Sequence, residues 1–95
     1  MPSSKTYDNA TETIWQCVKS KSESEHGTRY DCSDSAGDNC TATTDTPVGQ
    51  VQLKCVEDPA ANTLTYTIVK KPGIVPESAI WNGAESTLRE CGWRG

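Results

Sequence analysis

His26 is the only histidine of this 95-residue chain, and Arg29 and several glutamates lie close to it in sequence. Those residue types could serve a small ribonuclease, which needs a general base, a general acid and a cation for a phosphodiester. The setting opposes that chemistry. His26 sits in Ser22-Glu23-Ser24-Glu25-His26-Gly27, a polar acidic stretch that repels phosphate. A second oxygen-rich group, Asp31, Asp34 and Asp38 with Asn39, invites comparison with a calcium loop. An EF-hand needs ligands at positions 1, 3 and 5, Gly at 6 and Glu at 12. Counted from Asp31 the match fails from the third position on, and the segment reads as a solvated turn. Lys70-Lys71-Pro72-Gly73 could form the exposed basic loop of a protease inhibitor. No catalytic residue, cofactor site or metal site is expected from these groups.

The remaining chemistry is sulfur. Cysteines stand at 17, 32, 40, 55 and 91, with no CxxC pair and no histidine near any two of them. Such spacing does not suit zinc. In a short polar chain it reads as disulfide usage in an oxidising compartment. At least two bridges within the chain are expected. Cys32 with Cys40 would span the turn Ser33-Asp34-Ser35-Ala36-Gly37-Asp38-Asn39, and Cys55 with Cys91 would join the centre of the chain to its last element. One cysteine is then left over.

These groups must be positioned by a single domain with a small core. Apolar residues make up 34%, there is no Phe, and Trp15, Trp81, Trp93 and three Tyr supply the large side chains. Net charge is −4, with 13 acidic against 9 basic residues, which argues against nucleic acid and anionic membranes as partners. No apolar run approaches the roughly 20 residues of a membrane span. Met1-Pro2-Ser3 reads as a start that replaces a removed signal peptide, and the sequons Asn9-Ala10-Thr11 and Asn39-Cys40-Thr41 suit a secreted chain.

Residues 48–71 form the clearest element. Val51, Leu53 and Cys55 alternate with polar residues, as do Leu64, Tyr66 and Ile68, and Asp58-Pro59 with Asn62 marks a turn between them. This predicts a hairpin pairing Cys55 with Leu64, Leu53 with Tyr66 and Val51 with Ile68, all on one apolar face. Residues 1–12 read as a flexible arm, and 13–95 as one β-barrel domain. Within it, 13–19 is expected as the first strand and 20–27 as a loop. Residues 27–33 and 40–44 are expected as a strand and its return, and 78–81 and 87–93 as late strands. Helical turns at 78–79 and 84–89 are the lesser reading. The sum is an all-β chain, a small antiparallel barrel or sandwich stapled by disulfides. In the expected first strand Ile14 and Val18 share one face, Trp15 and Cys17 the other. If the former point inward, Trp15 and Cys17 are displayed together as a dimer interface, with an interchain bridge between Cys17 residues. If Cys17 instead faces the core, it pairs with Cys91.

In length, acidic Thr/Ser-rich composition, strand spacing and the segments TIWQC (13–17) and STLRECGW (86–93), the chain resembles small secreted cysteine-rich proteins of filamentous fungi. It resembles in particular the root-induced small secreted proteins of Trichoderma, and more distantly the β-barrel family of the major Alternaria allergen. The resemblance implies a homodimeric antiparallel barrel without assigned enzymatic activity, in which an early cysteine, Cys17 by order, links two subunits. It also implies a secreted effector or elicitor that binds an unidentified host plant protein and alters plant defence.

Overall fold

The computed structural model describes residues 3–95, so most of Met1-Pro2-Ser3, read above as a replacement start, lies outside the described residues. Seven elements follow in chain order: β1 (Ser4–Asp8), α1 (Glu12–His26), β2 (Arg29–Cys32), β3 (Asn39–Thr46), β4 (Gly49–Asp58), β5 (Thr63–Lys70) and α2 (Glu77–Glu90). The strands make one antiparallel sheet in the order β1-β5-β4-β3-β2. Both helices cover the same face of it. Trp15 and Val18 of α1 and Trp81 and Leu88 of α2 share one core with Tyr7, Cys40, Cys55, Leu64, Tyr66 and Ile68 of the sheet. The expected antiparallel, disulfide-bonded β-structure is present, but the sheet is not closed into a barrel. Two helices, not a second sheet, bury its apolar face, and β1 and β2 remain as edges.

Residues 13–26 are helical where a strand and a loop were expected. The Thr11 hydroxyl accepts from the Ile14 N–H at 3.3 Å, capping the first turn, and Gly27 ends the helix in a left-handed conformation at φ 65°. Trp15 and Val18 follow at helical spacing and are buried, with Ile14 beside them. The five residues of TIWQC fit either period, and the cap decides between them. Residues 78–81 and 87–93 were likewise expected as strands. They belong largely to α2, whose Ile80, Trp81, Ala84, Leu88 and, just past its end, Cys91 recur at i, i+1, i+4, i+8 and i+11.

Part of the expected flexible arm is the edge strand β1. Tyr7 is 6% exposed, its ring meets Tyr66 and Trp93 edge-on at 6.0 and 5.3 Å, and its hydroxyl donates to Glu85 at 3.0 Å. The central hairpin keeps its inward face but not its pairing. Cys55 lies opposite Tyr66, Leu53 opposite Ile68, and Glu57 opposite Leu64. The cause is the turn. Asp58 pairs with Thr63, its carboxylate accepts from the Ala60 N–H at 3.1 Å, and Asn62 takes φ 54°, so the strands run closer to the tip than expected. A shift by two preserves the faces of both strands.

Candidate functional site

The helices and sheet do not close everywhere. Between α1, α2 and the middle of the sheet lies a cavity of about 230 Å³, partly open to solvent. Small side chains border it: Ala79, Gly83 and Ala84 of α2 and Ala42 of β3 are all in its lining. Val18, Leu53 and Ile80 make much of its wall, and Tyr30 of β2 and Tyr66 of β5 add rings from the sheet. This composition, apolar with few polar groups, is that of a small-molecule site.

Most polar groups of the wall satisfy one another. The hydroxyls of Thr28 and Thr44 lie 2.7 Å apart, and Thr87 donates to the Gly83 carbonyl at 3.1 Å. Burial pushes the Tyr30 phenol up to about 12, with the Ser22 hydroxyl moderating the shift. The Tyr66 phenol is raised well above its ordinary range, first by burial and then by Cys55, Tyr30, Tyr7 and Glu57. Both phenols therefore stay protonated at neutral pH. Tyr66 is 3% exposed, and its hydroxyl, which makes no side-chain hydrogen bond among the described residues, is not one of the fully enclosed unpartnered polar atoms. His26 lies exposed at the mouth. No Lys or Arg lines the cavity.

A second polar group sits at the other end of α1. Glu57 projects from β4 onto the helix-covered face and is 3% exposed, with neither carboxylate oxygen partnered. One oxygen each of Glu12 and Asp38 is also buried without a partner. Burial, then Glu12, Asp38 and Asp58, push the Glu57 carboxyl up to about 7. Asp38 is raised by burial and by the neighbouring Glu12 carboxylate, with Lys19 opposing. Among the described residues no group of three or more His, Cys, Asp or Glu is placed to hold a metal ion.

The cysteines pair as Cys17–Cys91 and Cys32–Cys40, and Cys55 is free and buried. The bridge across the β2–β3 turn is the expected one. The expected Cys55–Cys91 bridge is replaced by Cys17–Cys91, the alternative that a core-facing Cys17 required. With both segments helical, Cys17 of α1 and Cys91 at the end of α2 approach to 5.7 Å between Cα atoms, while Cys55 is enclosed beneath the helices. Trp15 and Cys17 are thus no dimer interface. Trp15 is fully buried, its indole donates to the Gly37 carbonyl at 2.8 Å, and the Lys19 ammonium lies 5.1 Å from its ring.

The other sequence candidates fall in different places. Asp34 accepts from the Asp38 and Asn39 N–H groups at 3.0 Å, so the acidic segment is an Asx-type turn. Lys71 donates to the Val75 carbonyl at 2.8 Å, and Lys70 is exposed at the end of β5. The Asn9 amide donates to the Gly95 carbonyl at 2.9 Å. Sequence reasoning missed the cavity and the buried carboxyl. The inward parity of 51, 53 and 55 extends to Glu57, so that residue was there to be found. No family model, curated protein or solved structure matches the chain. Among the described residues no helix is long and apolar enough to cross a membrane.

Proposed function

We propose that this chain is a secreted binding protein of the effector kind, and that it acts on its plant host by taking a host component into the cavity between α1, α2 and the sheet. The cavity carries the reading: it is apolar, partly open and walled by rigid elements, with a few polar groups at its surface. Two disulfides are compatible with an extracellular protein. The fungal source and the plant host rest on the resemblance of TIWQC and STLRECGW. The homodimer expected through Trp15 and Cys17 is not carried forward, because both residues are used inside the chain.

The test is Gly83→Leu. A Cβ at Gly83 meets nothing within 4 Å, and Leu favours the helix, so the variant folds while its side chain obstructs the mouth. Purified wild-type protein infiltrated into leaves should elicit a defence response that Gly83→Leu lacks. A wild type without response overturns the plant-directed role, and an equally active Gly83→Leu overturns the cavity as the working site.

A hydrolase reading deserves a control because His26 lies at the cavity mouth. The absence of Lys and Arg from the lining leaves a phosphodiester without a fixed counter-charge there. RNA incubated with wild type and with His26→Ala should stay intact in both, and cleavage lost on substitution would favour the enzyme.

A further inference from the structure

Resting on the binding reading above, we infer that the cavity takes a neutral, mostly apolar small molecule, a single ring with a few substituent atoms, whose carbonyl or ether oxygen accepts the Tyr66 hydroxyl.

Size sets the first limit. An engineered apolar cavity of about 150 Å³ accommodates benzene. At about 230 Å³, this one takes a ring with several more atoms but not a fused multi-ring system held entirely inside. Its outward opening gives such a molecule an entry path without unfolding of the core.

Charge sets the second. The lining contains no Lys or Arg, and the chain carries a net −4. A bound carboxylate would lose its water and find no Lys or Arg to pair with inside the cavity. An organic cation fares no better, because no Asp or Glu lines the cavity. His26, the one lining residue able to carry positive charge, is exposed, where water screens it.

The third limit is the Tyr66 hydroxyl. Buried phenols ordinarily find a partner. Here the hydroxyl groups of Thr28 and Thr44 bond each other and Thr87 bonds the helix backbone, while the Tyr66 hydroxyl, without a partner among the described residues and not fully enclosed, is open to an acceptor in the cavity. Its phenol is held protonated by burial and by the surrounding acidic groups. A ketone, ester or ether oxygen in the cavity provides it an acceptor without bringing charge. The ring of the ligand would then lie against Val18, Leu53 and Ile80.

Three probes of similar size separate these requirements: carvone, which has a ring and a ketone; limonene, the matching hydrocarbon; and octanoate, an anion. Each is titrated into ¹⁵N-labelled protein at neutral pH and followed by amide shifts. Carvone should saturate, with shifts concentrated at Val18, Leu53, Tyr66 and Gly83. It should bind about threefold to tenfold tighter than limonene, the range a neutral hydrogen bond supplies. Octanoate should not saturate. Tyr66→Phe should bring carvone and limonene to equal affinity, and Gly83→Leu should lose both. Non-saturable carvone, octanoate as tight as carvone, or equal binding of carvone and limonene by wild type would each overturn the inference without any variant. So would a carvone preference that survives Tyr66→Phe. If wild type ignores all three probes while Gly83→Leu still abolishes the leaf response, the ligand class is wrong and the binding reading stands.

Discussion

Glu57→Gln should make the protein more stable at neutral pH and remove most of the pH dependence of its folding. In the folded chain the Glu57 carboxyl is pushed from 4.5 to about 7, by burial and then by Glu12, Asp38 and Asp58. The folded state therefore holds a proton that the unfolded chain has released between those two values. For an acid raised in this way the penalty is absent below about pH 4.5, grows as pH rises, and is complete above about pH 7. At about 1.4 kcal/mol per pH unit, the difference is worth at most about 3 kcal/mol. Asp38 is raised as well, by burial and by Glu12, and adds in the same direction from a lower starting pH. Asp34, Asp45 and Glu85 are lowered by hydrogen bonds, so what they contribute is lost in acid, but they are at the surface and screened. Urea unfolding followed by tryptophan fluorescence at about pH 5 and about pH 8 measures the balance. Wild type should have the lower midpoint at the higher pH. Glu57→Gln should raise that midpoint by an amount equivalent to about 1–3 kcal/mol while changing little at the lower pH. A wild-type midpoint that rises between the two, or a Glu57→Gln slope equal to that of wild type, refutes the reasoning.

Cys32, Cys40 and Cys55 are consecutive partners across β2, β3 and β4, all on the helix-covered face. Cys32→Ser refolded with oxidised and reduced glutathione should therefore form a Cys40–Cys55 bridge, seen by peptide mapping, whereas two free thiols would exclude it. In native wild type the Cys55 thiol, pushed up to about 12 by burial, should resist iodoacetamide until the protein is denatured. The Cys17–Cys91 bridge spans 74 residues, so Cys17→Ser with Cys91→Ser should cost about 2–4 kcal/mol in denaturant unfolding, and an unchanged midpoint would show that the helices hold without it. Trp15→Ala should cost about 3–5 kcal/mol, because the ring is fully buried, packs on Tyr30 at 5.8 Å and anchors the Gly37 turn through its indole. A cost below about 1 kcal/mol would place Trp15 at the surface.

The strands at the centre of the chain were legible because alternation over several residues has one interpretation. Val51, Leu53 and Cys55 against Leu64, Tyr66 and Ile68 define the buried face, and Asp58-Pro59 with Asn62 defines the turn. The turn between Cys32 and Cys40 was short enough to name its own bridge. Pairing was off by two because period-two alternation is unchanged by such a shift. Only the Asp58-capped turn selects between the two pairings.

The helices were harder to see. Thr, Ser, Cys and Trp are middling helix formers, and TIWQC alternates well enough to pass for a strand. The stripe Ile80, Trp81, Ala84, Leu88 was present in the sequence, but breaking it at Asn82-Gly83 hid its period. Once both segments are helices, the rest follows from the tertiary arrangement. Cys17 reaches Cys91, Cys55 is sealed under the helices, and Trp15 is fully enclosed. The cavity, and the lack of any partner among the described residues for the inward-facing Glu57 carboxyl, belong to the tertiary structure alone. Ala79, Gly83 and Ala84 are small wherever they sit, and it is the fold that brings them and Ala42 to the lining of one space. Sequence dictates which side of an element is apolar. What meets that side, and whether it fills the gap, is decided by packing between elements far apart in the chain.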